Sequence, residues 1–442
     1  MIAWEVGDVG GSSARFHPYN PCMKFRTALL AVAFVSTAAT AETVTVGAKR
    51  LLDVTKGTYV ENPVVRIENG IVVSVETRRA GAAVTHDLGD VTLLPGLTDC
   101  HVHLIGADEQ TPYQKLTETT AHAAIEGVVN AKKTLDAGFT TVRDLGARDF
   151  ADVALRDEIA AGKVAGPRML VATSSISATG GHGDLNDLPE DIAVRRYSGI
   201  ADGPDEIRKR VRENIKFGAD WIKVLATGGI GSAGTDPRQS EYTEEEIRAA
   251  VLAAREKGRD VAVHAHGTLG ILRAARAGVR SIEHSSMLDD EAIAVLKANG
   301  TFIVSNPISN AYMLERGAAG GYQDYQLRKS REIKDLKMES LRKAIRAGIP
   351  AAYGTDAGVQ IHGINGKQFA LYVEAGMTPL QAIQSATLVA ARLLRMEKQI
   401  GQVAPGFFGD LVAVAGDPLT DVRVLESPRF VMKEGRVALD RR

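Results

Sequence analysis

The feature that most constrains the fold is an alternation, between residues 95 and 400, of short β-branched runs and longer stretches with helical spacing. Eight runs have the length and composition of strands: 97–104, 140–144, 169–173, 221–226, 261–265, 281–283, 301–305 and 351–354. Helical stretches such as 243–257 and 327–347 fill the gaps, and Thr378 followed by Pro379 has the signature of another helix start. Eight strand–helix units predict an α/β fold, a TIM (β/α)8 barrel over residues 95–400.

A doubly wound open sheet is the alternative arrangement for such an alternation. Its nucleotide-binding form carries a glycine-rich fingerprint directly after the first strand. No such fingerprint follows residues 97–104, which counts against this alternative.

Both ends of the chain are rich in β-strand signals. Asn69-Gly70 lies between two β-branched runs and predicts a tight hairpin. Residues 410–415 read as a strand, and 430–438 read as a strand, a turn and a strand. Because either end alone is too small for a good core, we expect residues 42–94 and 401–442 to form one small composite β-sandwich domain.

The first 41 residues have the order of a leader with a secretory signal peptide. A basic start around Lys24 and Arg26 precedes a short apolar run, and Ala39-Thr40-Ala41 is a cleavage motif. We expect Met23 to be the initiator, the segment from Met23 to Ala41 to be removed, and the mature chain to be exported, periplasmic or secreted. An apolar first strand or a disordered tail is the alternative.

Composition narrows the class of protein further. The chain has 442 residues, with 53 Lys+Arg against 54 Asp+Glu, and this balance argues against a nucleic-acid partner. Two cysteines exclude a disulfide framework, and cleavage of the leader would leave Cys100 as the only thiol. The apolar run of the leader is too short for a permanent membrane anchor, and no other stretch is long and apolar enough to predict a membrane span.

Histidines fall where the predicted strands end. His101 and His103 are two residues apart on the first strand, so their side chains point to the same face and could chelate one metal. A TIM barrel brings the carboxyl ends of its strands to one face, where the active site lies. The polar residues that would converge there are His101, His103, Lys223, His264, His284 and Asp356.

Each of these residues also has an ordinary structural explanation. Lys223 could extend its ammonium group to solvent, Asp356 could cap a helix, and His284 could be a core histidine. The conjunction favours a functional site, because every one of them falls at a strand end that the barrel requires.

The motifs resemble those of the amidohydrolase superfamily, in the imidazolonepropionase-like branch with Xaa-Pro dipeptidases and ochratoxin amidases. They are, in order, LPGLTDCHVHL (94–104), ATGG (226–229), VHAHG (263–267), SIEH (281–284), YGTD (353–356) and GFFGDLV (406–412). The resemblance covers roughly residues 44–440 and implies a TIM barrel, a β-sandwich built from both termini, and a homo-oligomer.

The resemblance also implies a binuclear metal centre, usually with zinc. In it, His101, His103 and Asp356 would bind one metal, and His264 and His284 the other. Lys223 would be carboxylated to N6-carboxylysine and would bridge the two ions. Desolvation and nearby dications both favour the neutral amine from which such a carbamate forms.

A hydroxide held between two metals is a strong nucleophile at neutral pH. Asp356 would then be the catalytic residue that takes its proton and delivers it to the leaving nitrogen. The expected substrates are N-acyl amino acids or short peptides, cleaved in the manner of a carboxypeptidase or dipeptidase, and include ochratoxin-type amides.

Two further histidines are candidates for substrate binding. His182 lies in a glycine-rich loop after the third predicted strand and could donate to the substrate carbonyl or the oxyanion, a catalytic role. His266 shares the inward face of its strand with His264 and could bind a substrate carboxylate. The segment 305–324 is expected to be a loop bordering the pocket. Three histidines have no predicted role: His86, His122 and His362.

Two other functions compete with amide hydrolysis. The same metal centre could act as a lactonase or a phosphotriesterase. A catalytically dead binding protein on the same fold would hold no metal, and the complete ligand set disfavours it.

Overall fold

The computed structural model describes residues 42–79, 81–189 and 199–442. The predicted leader and signal peptide lie outside the described residues. Within those ranges, no helix combines the length and hydropathy required to cross a membrane.

Seventeen strands are found among the described residues. They are β1 Thr43–Gly47, β2 Arg50–Asp53, β3 Thr58–Glu61, β4 Pro63–Glu68, β5 Ile71–Thr77, β6 His86–Asp87, β7 Thr92–Pro95, β8 Leu97–Val102, β9 Phe139–Asp144, β10 Arg168–Val171, β11 Trp221–Leu225, β12 Asp260–Ala265, β13 Ser281–His284, β14 Phe302–Val304, β15 Leu411–Val414, β16 Phe430–Lys433 and β17 Arg436–Asp440.

Twelve α-helices are found in the same ranges. They are α1 Pro112–Thr117, α2 Thr120–Asp136, α3 Ala151–Ala160, α4 Gly203–Lys216, α5 Glu244–Arg255, α6 Thr268–Ala277, α7 Asp290–Asn299, α8 Pro307–Arg316, α9 Asp324–Ala347, α10 Gln368–Glu374, α11 Pro379–Gln384 and α12 Ala390–Leu393. The predicted helices 243–257, 327–347 and the one beginning at Thr378-Pro379 are confirmed as α5, α9 and α11, and Thr378 caps α11 in a capping box.

Strands from the two ends of the chain form two sheets. One has the order β5-β4-β1-β6 and the other β17-β16-β15-β7-β2-β3, so β15 from the C-terminal part pairs with β7 from the N-terminal part. The predicted hairpin is confirmed, because Asn69 and Gly70 have φ of 49° and 81° and connect β4 to β5. Both sheets contribute side chains to one apolar cluster that includes Val46, Ile67 and Phe430.

The α/β part of the chain contains two parallel sheets, ordered β10-β9-β8 and β11-β12-β13-β14. Isolated parallel bridges extend them: Ile176 pairs with Val224, Ile303 with Ala351 and Val102 with Ala357. Seven of the eight predicted strands are confirmed as β8 to β14. The carboxyl ends of these strands position the candidate site described below.

The eighth predicted strand, 351–354, is wrong as a regular strand, and only an isolated bridge forms there. The backbone of this segment bonds to several partners in turn. Ala352 donates to Ile303, Tyr353 accepts from Cys100, and the Tyr353 N–H donates to Ser385 on the π-helical turn that follows α11. Because the partners change from residue to residue, no continuous ladder develops.

The predicted loop 305–324 is also corrected, because most of it is helical. Asn306 precedes α8, and Pro307 stands at the first helical position, where its missing N–H costs no hydrogen bond. A short 3₁₀ turn, Gly317–Gly320, follows α8. The glycine-rich end of the segment favoured the loop interpretation over this start signal.

Candidate active site

The first set of converging side chains comprises His101, His103 and Asp356, which we call the His101 cluster. The Asp356 Oδ1 lies 3.3 Å from Nε2 of His101 and 3.3 Å from Nε2 of His103. Asp356 is fixed by its backbone N–H, which donates to the carbonyl of His101 at 2.7 Å. One oxygen facing two imidazole nitrogens is a donor set that could hold a metal ion.

A buried ion pair supports His101 from behind. His101 Nδ1 lies 2.9 Å from Glu283 Oε2, and Arg143 donates to Glu283 Oε1 at 2.9 Å. Ser281 Oγ donates to the same Oε1 at 2.6 Å, and the side chains of Arg143 and Glu283 are fully buried. A carboxylate at Nδ1 keeps the proton on that nitrogen, which leaves Nε2 as the free donor that a metal requires.

Lys223 lies beside this cluster on β11. Its Nζ is 3.4 Å from Nε2 of His101. Burial lowers the pKa of Lys223 to about 8 against the pull of Glu283 and Asp356, so a neutral amine is accessible near neutral pH.

The second set comprises His264, His266 and His284, which we call the His264 cluster. The ring centroid of His284 is 4.4 Å from that of His264 and 4.7 Å from that of His266. Burial holds the pKa of all three imidazoles well below its usual range, so they are neutral. Their ligand nitrogens are also close enough to hold one metal ion.

Neutral groups orient the His264 cluster. His266 Nδ1 is 2.7 Å from Ser286 Oγ, and His284 Nδ1 is 3.0 Å from Asn306 Oδ1. The same amide oxygen accepts a hydrogen bond of 2.9 Å from the buried ammonium group of Lys337 on α9. Burial lowers the pKa of Lys337 to about 8, so the group is mostly an ammonium donor at neutral pH. Asn306 therefore presents its oxygen to Lys337, and the same oxygen accepts the Nδ1–H of His284.

Backbone strain brings neighbouring residues of β13 to the same site. Successive strand residues normally face opposite sides, yet Glu283 contacts His101 while His284 joins the His264 cluster. His284 has a φ of 70°, in the left-handed region that residues of a regular strand do not occupy. This backbone conformation turns the His284 side chain toward the site. Asp356, with a φ of 65°, is strained in the same way.

His182 lies next to the His264 cluster, with its ring centroid 4.4 Å from that of His264. Its Nδ1 is 2.8 Å from Ser232 Oγ, and burial lowers its pKa to about 4. Its backbone N–H donates to Glu241, whose pKa burial raises to about 7. A Cβ on Gly229 would stand 2.1 Å from the His182 ring, so the second glycine of the motif 226–229 admits this histidine.

The structure therefore brings every predicted ligand to one place. The position of His266 differs from the expectation, because its ring packs inside the His264 cluster. The role of His266 as a substrate contact stays a prediction. The imidazole nitrogens and the carboxylate lie in two separate sets, each of which could hold a metal ion.

Sequence reasoning missed the groups behind the ligands. Glu283 had a signal, because it precedes His284 within the motif 281–284. Arg143 and Asn306 also lie at the ends of predicted strands. Lys337 lies in the middle of a 24-residue helix, where no sequence motif distinguishes it from the other lysines. His362, left without a role, is buried with its Nε2 3.8 Å from Asp108.

Comparison with known proteins gives one family throughout. A sequence model of the amidohydrolase family matches residues 92–438. Ochratoxinase from Aspergillus niger is 32% identical over 359 residues, which cover 77% of this chain and 73% of that protein.

Two solved structures are similar over most of their length. A Xaa-Pro dipeptidase with methionine bound in its active site is 35% identical, with a TM-score of 0.83 over 90% of this chain and 99% of that chain. A prolidase complexed with N-methylphosphonate-L-proline is 29% identical, with the same TM-score and the same coverage.

Proposed function

Because the chain belongs to the amidohydrolase family and is a hydrolase acting on C–N bonds, we propose that it cleaves the amide bond of N-acyl amino acids or short peptides. Ochratoxin-type amides fall within this class, since the ochratoxinase relative is named for such a substrate. The dipeptidase and prolidase neighbours support release of a C-terminal residue from a short peptide.

The observation that carries the proposal is the pairing of two metal-ligand sets around one buried amine. The His101 cluster and the His264 cluster each offer three donors, and the ring centroids of His101 and His284 are 5.2 Å apart. The Nζ of Lys223 lies 3.4 Å from Nε2 of His101. We propose that Lys223 is carboxylated, which would replace a buried cation with an anionic two-oxygen ligand between the clusters.

In this proposal, His101, His103 and Asp356 hold one divalent ion, and His264 and His284 hold the other, with the modified Lys223 shared. Two zinc ions bound there would polarise a scissile carbonyl and lower the pKa of water. The chain's own residues supply orientation and proton transfer.

Asp356 is placed to carry the proton between water and the leaving nitrogen. Burial opposes its ionisation, yet contacts with His101 and His103 lower its pKa to about 2, so it is a carboxylate at neutral pH. A carboxylate can take a proton at its oxygen and return it to the leaving nitrogen.

His182 and His266 are proposed as the substrate contacts. His182 is neutral, and its Nδ1 bonds Ser232, which leaves Nε2 for the substrate carbonyl oxygen. His266 belongs to the His264 cluster and is proposed to meet the substrate carboxylate.

The architecture is proposed to be a TIM barrel with a small β-sandwich. Bridges at Ile176, Ala351 and Ala357 support joining the two parallel sheets, and the shared apolar cluster supports packing of the two terminal sheets. We also propose that the enzyme is exported through the segment from Met23 to Ala41, and that it assembles as a homo-oligomer.

Metal analysis combined with a substrate screen tests the proposed function. The purified protein is expected to hold two divalent ions per chain and to hydrolyse N-acyl amino acids, with activity lost to a chelator and restored by zinc. A panel varied at the C-terminal residue gives the specificity, and a lactone and phosphotriester panel runs beside it. Fast turnover of lactones or phosphotriesters with inert amides would overturn the proposal, as would full activity without metal.

A further inference from the structure

A polar cavity lies at the ends of the parallel strands opposite to the metal-ligand clusters. Its volume is about 620 Å³. The residues that line it include Asp260, at the start of β12, and Arg280, which precedes β13. His264 is four residues further along β12, which corresponds to roughly 13 Å at strand rise. The cavity is therefore separate from the proposed catalytic centre.

Six arginines line this cavity, and three of them are neutralised. Arg395 pairs with Asp260 at 2.6 Å, while the other two pair with carboxylates at the cavity margin. These remaining pairs are Arg248 with Glu244 and Arg276 with Glu291.

The other three guanidinium groups donate their hydrogen bonds to backbone carbonyls, and that of Arg280 also lies 4.7 Å from the centroid of the Phe302 ring. Arg255 donates to Gly278 at 2.6 Å, Arg259 to Ala219 at 3.1 Å, and Arg280 to Arg392 at 2.6 Å. Within the described ranges, no carboxylate oxygen lies within 4.0 Å of these three side chains. The cavity therefore has more guanidinium groups than carboxylates paired with them. Burial and the nearby Arg395 lower the pKa of Arg280 against the pull of Asp260 and Glu397.

We propose that this arginine cavity binds a compact polyanion of the oligophosphate class. Guanidinium groups present pairs of N–H donors that match the spacing of phosphate oxygens. An oligophosphate also carries three or more negative charges, whereas a single carboxylate carries one. The volume falls within the range of small-molecule sites.

The lining selects the phosphate groups rather than a base or a long nucleic acid. Its apolar members are Ala277 and Val279, and none of the lining residues is aromatic, so no ring is present on which a nucleobase could stack. The formal net charge of −1 for the whole chain also disfavours an extended polyanion outside the cavity.

Calorimetric titration of the full-length protein with inorganic tripolyphosphate tests the proposal. The variant Arg255→Gln/Arg280→Gln removes two of the unpaired charges, and Arg210→Gln/Arg212→Gln on α4 removes two charges outside the cavity. We expect the cavity variant to bind at least about 10-fold more weakly than wild type, and the control variant to bind as wild type does. Amide hydrolysis without added phosphate should be the same in all three proteins.

The variants also separate cavity binding from capture of active-site metal by the phosphate. Chelation would be equal in all three proteins, so equal titrations in the wild type and the cavity variant would overturn the proposal. An absence of binding, or binding of an oligonucleotide but not of tripolyphosphate, would also overturn it. Melting temperatures check that the cavity variant is folded, and the single variant Arg255→Gln replaces it if it is not.

Discussion

The His101 cluster and the His264 cluster offer similar imidazoles, but they are supported by opposite electrostatics. The first contains the carboxylate of Asp356 and rests on Glu283, which is paired with the buried Arg143. The second contains three neutral imidazoles, and the charged group behind it is the ammonium of Lys337.

This difference indicates unequal metal affinity. A dication at the His101 cluster meets a carboxylate within the donor set, whereas one at the His264 cluster meets neutral nitrogens with a cation behind them. The His264 cluster therefore depends more on an anionic shared ligand, which is what carboxylation of Lys223 would provide. Metal at the His264 cluster should dissociate first when a chelator is titrated.

The largest expected effect comes from removing the carboxylate that distinguishes the two clusters. Asp356→Asn keeps the side-chain shape, and asparagine tolerates the left-handed φ of 65°. We expect the rate of hydrolysis to fall about 10²- to 10⁴-fold. The asparagine side chain can neither carry the proton nor offer a negatively charged oxygen to the metal ion. Steady-state kinetics with metal analysis measure this, and near wild-type kcat in a fully loaded variant would contradict it.

Glu283→Gln tests the buried support of the His101 cluster. In one orientation the glutamine oxygen faces Arg143, and the glutamine NH2 group then faces His101 and moves the imidazole proton to Nε2. In the flipped orientation the NH2 group faces the guanidinium group of Arg143 instead. We expect a loss of about 3–5 kcal/mol in unfolding free energy, because a buried charge loses its partner. Metal affinity at the His101 cluster should fall about 10- to 100-fold.

Ser281→Ala is the matched control, because Ser281 bonds the same carboxylate without touching His101. It should cost about 1 kcal/mol and leave metal affinity unchanged. Denaturant unfolding and chelator titration give the two quantities. Equal metal loss in both variants would show that Glu283 does not set the tautomer of His101.

Asn306→Ala tests the corresponding support of the His264 cluster. The change removes the acceptor shared by His284 and Lys337, and we expect about a 10- to 100-fold weaker affinity for one metal, with the other retained. Asn310→Ala is the control, because Asn310 accepts from Lys337 at 2.6 Å without contacting a histidine. Loss of both metals together would argue that the two clusters are not independent.

The candidate ligands could be predicted from the sequence because their spacing carries structural information. His101 and His103 share a face by strand alternation, and the hairpin at Asn69-Gly70 follows from backbone preferences. The supports depend on contacts between distant segments: Lys337 reaches Asn306 from a different element, and the π-helical turn at Ser385 takes the N–H of Tyr353. Local periodicity does not record such contacts, so it missed the supports and mistook segment 351–354 for a regular strand.

The smallest expected effect concerns Glu241, the carboxyl group on the His182 side of the His264 cluster. Burial raises its pKa to about 7, so the folded protein favours the neutral acid while the unfolded chain ionises nearer pH 4.5. The stability that this group contributes is present below the unfolded pKa and is lost as pH rises through about 7.

Glu241→Gln keeps an acceptor for the His182 N–H and removes this titration. The melting temperature of the variant, relative to wild type, should therefore increase between pH 5 and pH 8. A difference that stays constant over this range would mean that Glu241 is ionised in the fold, for example through Lys329, and that the His264 cluster does have an anion nearby.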